Sequence, residues 1–235
     1  MLGPADYCFW TAAFLLEVGV VVYSVYRREF FRYFPLNFYM LCTAIVTAGQ
    51  YYCIQNFGFT STTYFYFYYY TDSLLTILML TVIIQLYLEM FKEMRVSRYI
   101  KGAALILIVA TGLFSYVVVH QNRSQLTTRF VVELGQNLYF VGVVLTYLLW
   151  GAIVKLRETR ARLVQLVLGL GVFYSAMAGA YALRNLFPIL EAHVLRWLPP
   201  VMACWLPFAW GYTFMRIPEE ARLATARLAV RVGVR

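Results

Sequence analysis

Apolar residues fall into seven long runs, at about 8–26, 36–57, 66–91, 100–119, 131–154, 163–187 and 196–215. Each is close to the roughly 20 residues that an α-helix needs to cross a hydrocarbon core about 30 Å thick. Polar or turn-forming segments separate the runs, and none is longer than a dozen residues, which leaves no room for a soluble domain between helices. The pattern predicts an all-α integral membrane bundle of seven transmembrane helices over residues 1–215, followed by a short tail at 216–235.

Polar side chains inside such runs are costly unless they face the bundle interior, so they are the candidate functional residues. In the first run Glu17 shares a helical face with Ala13, Val21 and Ser24; in the second, Tyr39, Thr43, Thr47 and Gln50 form a stripe, with Gln55 and Asn56 beyond it. The third opens with an unbroken aromatic stretch, Tyr64 to Tyr70, and then Thr71 and Asp72. In the fifth, Glu133, Gln136, Asn137, Phe140, Val144, Tyr147 and Gly151 recur at helical spacing, and the sixth ends on Arg184 and Asn185. Glu17, Gln50, Asp72, Glu133, Gln136, Asn137 and Arg184 are therefore expected to line an outward-facing ligand-binding cavity in the outer half of the bundle, with tyrosines at its mouth. Gln85 and Glu89 lie on the other side of the third helix from Asp72 and Thr76, so no continuous polar path crosses the membrane. The competing reading is that these groups serve as interhelical hydrogen bonds and that the tyrosines are an interfacial aromatic belt.

Three features concern architecture. Gly171, Ser175, Ala178, Gly179 and Ala182 give the sixth run a small-residue face for close helix packing. Pro207 falls in mid-span of the seventh, removes the bond to the Ala203 carbonyl and predicts a kink. Ala48-Gly49-x-Tyr51 with Phe57 matches Ala178-Gly179-x-Tyr181 with Phe187 at identical spacing, a basis for a parallel three-plus-one-plus-three repeat of the kind some transporters use.

Composition agrees with a membrane domain. Of the 235 residues 62% are hydrophobic and 13% charged, against roughly 45–50% and about 25% for a soluble domain, and the mean hydropathy is +0.67. The net charge of +9 is a topology signal rather than a nucleic-acid footprint. Sixteen of the 20 Lys and Arg residues lie in the first, third and fifth connections and the tail; only Arg123, Arg129, Arg184 and Arg196 lie on the opposite side. Basic loops stay in the cytoplasm, so the expected orientation places the N-terminus outside and the C-terminus inside, in a multi-pass protein of the cell membrane. No Lys or Arg precedes the first run, whereas Arg27 and Arg28 follow it, which fits a retained helix rather than a cleaved signal peptide. In the tail, Pro218 with Glu219 and Glu220 reads as a helix start. Leu223, Ala226, Val230 and Gly233 then alternate with Arg222, Arg227, Arg231 and Arg235 as in a short amphipathic helix on an anionic leaflet.

Candidate chemistry is sparse. Cys8, Cys42, Cys53 and Cys204 have no C-x-x-C spacing, so metal and redox roles are not indicated; buried thiols are the favoured reading, with a Cys8–Cys53 disulfide as the alternative. None of the three lysines, Lys92, Lys101 and Lys155, lies in the seventh run, which excludes a retinal Schiff base there. The third and seventh runs end on Leu88-Glu89-Met90-Phe91-Lys92 and Pro207-Phe208-Ala209-Trp210-Gly211-Tyr212, without the motifs of the major G-protein-coupled receptor class. His120 and His193 both fall in connections, so no membrane histidine pair can hold haem, and no zinc-peptidase or paired-aspartate arrangement exists. The chain is expected to be neither an enzyme nor a cofactor carrier. The expected function is a receptor-like or sensory protein that binds a small ligand or lipid and signals through a separate partner docking on Arg95, Arg98, Arg157, Arg160 and the tail. A small-solute transporter using Glu17, and a non-catalytic subunit of a membrane complex, are the alternatives.

Overall fold

A computed structural model describes residues 4–92, 126–156, 160–186 and 197–222, together with 102–103, 105–107, 109–113 and 116. Six helices carry the fold: α1 (Pro4–Tyr26), α2 (Phe34–Phe57), α3 (Thr62–Met90), α4 (Leu126–Leu156), α5 (Ala161–Leu186) and α6 (Leu198–Arg216). The described residues between 102 and 116 are also helical, and no strand occurs among the described residues. Four helical segments are long and apolar enough to cross a membrane: Asp6–Tyr26, Thr62–Met90, Glu133–Leu156 and Ala161–Leu183. α2 and α6, of 24 and 19 residues, are long enough but are not among the four; α2 carries Asn37, Thr43, Thr47, Gln50, Gln55 and Asn56.

The six helices form a closed ring in chain order, with α6 returning to pack on α1. Its two ends differ. The α1–α2 turn, the ends of α3 and α4, the start of α5 and the segment after α6 meet at a basic end, where Arg160 reaches Glu89 and Arg162 reaches Glu29 and Glu219. The starts of α1 and α6 meet at the other, aromatic end, where the Phe9 and Trp197 rings lie 6.0 Å apart. Within the ring α3 and α4 therefore run parallel, as do α6 and α1. Met90 lies at the basic end and Leu126 at the aromatic end, apart by the length of the 29-residue α3, or about 43 Å at 1.5 Å per residue.

Local sequence explains where helices begin and stop. Ser61 caps α3 by accepting the Tyr64 N–H at 3.1 Å, so α3 starts four residues before the apolar run expected at 66. Pro35 sits in the first turn of α2, where its missing N–H costs nothing. α1 ends with Glu29 N–H on the Ser24 carbonyl at 2.9 Å and Arg28 N–H on Val25 at 3.0 Å, with Arg28 at φ 58°. That is the paired bonding of a Schellman cap, built on Arg28 where glycine is usual. Residues 217–222 run as a turn rather than opening a helix at Pro218, because Glu219 is drawn back against Arg32 and Arg162. The remainder of the expected tail helix lies outside the described residues. All four cysteines are free thiols: Cys53 is buried and Cys8 exposed.

The packed core fills the basic half and the middle of the ring. Leu36, Met79, Leu80, Ile83, Leu166 and Trp210 are each 2% exposed or less. Close approach at one point requires glycine: a Cβ on Gly142 of α4 would fall inside the buried Tyr174 ring of α5. Gly171 plays a milder version of this role, its Cβ position lying 3.3 Å from Thr146, whereas Gly179 has nothing within 4 Å. Only part of the expected small-residue face is thus a contact surface. The two glycines of the repeat also differ, since a Cβ on Gly49 would lie 2.7 Å from Phe67.

The outer surface of the ring is apolar. Leu15, Ile45, Leu148 and Val154 are each more than 60% exposed, and Leu105, Ile106 and Leu113 are exposed in the same way. Single exposed leucines are ordinary, but a surface of them around a whole ring is what a lipid solvent requires. The long apolar helices and this surface point to a bilayer environment.

Candidate functional site

A cavity of 900 Å³ opens among the helices in the aromatic half of the ring. Its deep end is formed by Glu17, Tyr39, Met40, Phe173, Leu206 and Pro207, and its mouth by Asp6, Phe59, Thr60, Ser61 and Pro199. The α2 stripe supplies one wall, since Tyr39, Thr43, Thr47 and Gln50 all line it. The aromatic stretch of α3 divides by helical phase: Tyr64, Phe65, Tyr68 and Tyr69 line the cavity, while Tyr66 and Tyr70 are exposed on the other side. Spacings of one, four and five place the first set on one face.

Glu17 is 2% exposed and receives one hydrogen bond, from the Thr47 hydroxyl to Oε2 at 3.4 Å. Asp72 is half-buried. Its backbone carbonyl accepts from Thr76 at 2.8 Å, and its Oδ2 lies 3.8 Å from where a Cβ on Gly135 would be. Gly135 therefore leaves room on α4 beside this carboxylate.

Of the residues expected at the site, Glu17, Gln50 and Asp72 come together in the cavity wall. Glu133, Gln136 and Asn137 are half-buried on α4 and are not among the lining residues. Their stripe does share one face, but Phe140, Val144 and Tyr147 on it are exposed. The face that α4 turns inward is Leu138, Tyr139, Thr146, Leu149 and Ile153, because only Gly142 admits Tyr174. Tyr139 is the α4 residue that reaches the cavity. Arg184 lies outside the residues whose side chains are described.

The basic end holds a cluster that the sequence did not mark as a site. Arg162, 4% exposed, pairs with Glu29 at 3.0 Å and with Glu219 at 3.9 Å, and donates to the Phe214 carbonyl at 3.3 Å. Its guanidinium lies over the Tyr33 and Phe214 rings, 5.6 and 5.1 Å from their centres. Arg32 pairs with Glu219, and the Gln85 amide donates to the Arg32 carbonyl at 3.2 Å. Arg160, expected as part of a docking surface, instead binds Glu89 through Oε1 at 3.4 Å and through its carbonyl at 3.2 Å. Burial, with the Glu219 charge as the second cause, pushes the Tyr33 hydroxyl above its usual 10.0, against the opposing pull of Arg162. One arginine thus joins the α1–α2 turn, α5 and the end of α6. Its signal in the sequence was only that of a loop cation.

Among the described residues no three His, Cys, Asp or Glu side chains gather as a metal-holding group. What the cavity can do chemically is accept a guest: its volume falls in the range of about 300–1,000 Å³ typical of small-molecule sites, with a lining of aromatic and apolar side chains, carboxylates, hydroxyls and one amide. No protein-family model matches the chain, and neither a curated protein nor a solved structure resembles it at a significant level.

Proposed function

We propose that the chain is a seven-span, multi-pass protein of the cell membrane that binds a small organic ligand or lipid in this cavity and acts as a receptor-like sensor. The span count is supported by the parallel contact of α3 and α4, which puts Met90 and Leu126 at opposite ends of the bundle, and by the helical residues described between 102 and 116. The orientation is supported by the sixteen cations on one side, which would place the basic end in the cytoplasm and the cavity toward the outside.

The observation that carries the reading is the one-ended cavity. Its lining stops at the level of Tyr39, Leu206 and Pro207, and below it lie a dry core and the Arg162 cluster. A site of this shape is not an open channel. A ligand wedged between α1, α2, α3 and α6 can shift them relative to one another, and the shift would be felt where Arg162 joins three of the segments at the basic end. A sensor of this kind needs a partner, because the described residues at that end hold no effector domain.

Extraction from native membranes in mild detergent followed by native mass spectrometry tests the proposal. The expected result is a bound small molecule that is lost in Tyr68→Ala, and a second protein co-purifying with the complex. Partner-free protein carrying no ligand would overturn it.

Transport is the second reading. It is favoured by the ring itself, in which α1–α3 and α4–α6 are two three-helix arcs joined by parallel contacts, as a parallel repeat would produce. Pro207, which removes one backbone hydrogen bond inside the continuous α6, lines the cavity. Solute uptake into proteoliposomes that Glu17→Gln abolishes would favour this reading over the sensor.

A further inference from the structure

Resting on the reading of this cavity as a ligand site, we infer that its ligand is an organic cation: an aromatic or alkyl amine or quaternary ammonium compound. The described side chains that line the cavity include three carboxylates, Asp6, Glu17 and Asp72, and no Lys, Arg or His. Glu17 is almost wholly buried, yet among the described residues its sole partner is a hydroxyl that reaches one of its two oxygens. An isolated carboxylate in a low-dielectric interior is strongly unfavourable unless it takes up a proton or meets a counter-charge. The protein supplies none to Glu17 among the described residues, and a cationic guest would.

The remaining lining points to the same chemistry through an independent route. Phe9, Trp10, Tyr64, Phe65, Tyr68 and Tyr69 surround the outer part of the cavity. The faces of such rings carry negative potential and attract ammonium groups, the basis of aromatic cages for quaternary amines. An anion would meet the Glu17 and Asp72 carboxylates and these ring faces, with no donor stronger than a hydroxyl or amide among the described residues. A neutral guest would make no use of the Glu17 and Asp72 carboxylates. Charge and aromatic placement together thus select a cation, with its apolar part against Met177, Met202 and Leu206 and its charged head between α1 and α3.

A pair of probes separates this inference from the ligand-site reading. Benzyltrimethylammonium and its uncharged carbon isostere neopentylbenzene have the same shape and differ in charge; benzenesulfonate serves as the anion. Binding to the intact detergent-solubilised protein is followed by quenching of tryptophan fluorescence, since Trp10 lines the cavity. The cation is expected to bind at least tenfold more tightly than the isostere, with no binding of the sulfonate. Glu17→Gln and Asp72→Asn are expected each to cut cation affinity about tenfold while leaving isostere affinity unchanged, which also shows that the variants fold. Equal binding of cation and isostere, or preference for the sulfonate, overturns the cationic ligand while the cavity remains a binding site. Failure of all three probes to bind overturns both.

Discussion

Arg162 is the residue on which the basic end depends most. Removing one partner of a buried ion pair leaves the other charge uncompensated, at a cost of about 3–5 kcal/mol, so Arg162→Met should lower stability by that order in denaturant unfolding of the detergent-solubilised protein. Glu219→Gln should cost under about 1 kcal/mol, because its contact with Arg162 is long and Glu219 is partly solvated. Nothing in the sequence separated Arg162 from Arg157 and Arg160: a cation in a loop is cheap, and only the fold reveals which one is enclosed. Glu17 and Asp72 were legible for the opposite reason, since a carboxylate within an apolar run is conspicuous and needs a neighbour or a guest. Arg28, held at φ 58°, stores strain of roughly 1–2 kcal/mol that glycine does not carry, so Arg28→Gly should raise the unfolding free energy by about that amount. Tyr33 gives a pH test. Its proton is held more tightly in the folded chain than in the unfolded one, so its contribution is fully present below pH 10 and is lost as pH rises through the folded value. Unfolding midpoints measured from pH 9 to 12 should fall less steeply for Tyr33→Phe than for the parent.

At the scale of elements, the two helices with clear polar stripes behaved differently. The α2 stripe faces the cavity as its spacing implied, with Leu36, Met40 and Ala44 buried on the same helix beside it. The α4 stripe does not, because Leu138, Tyr139, Thr146, Leu149 and Ile153 offer a stronger buried face and Gly142 lets Tyr174 lock against it. Periodicity shows that residues share a face but not which face wins when two are available. Gly142→Ala should therefore destabilise the bundle by about 1–3 kcal/mol, the usual cost of overpacking, since the Tyr174 ring has no space to retreat into. Gly179→Ala should be neutral or stabilising by up to about 1 kcal/mol, as its surroundings are open. Parallel thermal melts of the two variants check both expectations, and equal losses would show that Gly179 packs as tightly as Gly142.

On the scale of the whole molecule, hydropathy alone conveyed an all-helical, lipid-facing bundle, and the cations sorted its connections. Ring order and the parallel contact of α3 with α4 were not legible, since they depend on which helices choose each other rather than on what each contains. Orientation is open to direct test. In intact cells a cysteine introduced at Thr60, on the α2–α3 turn, should react with a membrane-impermeant maleimide, whereas one at Arg28 should react only after permeabilisation. The central claim, that the cavity holds a guest, is tested most directly by an electron-microscopic density map of the protein in its native lipid. It should show non-protein density beside Glu17 and Asp72, bounded by Tyr64 and Tyr68. A cavity collapsed by inward movement of α1 and α3, or filled by the protein's own side chains, would contradict it.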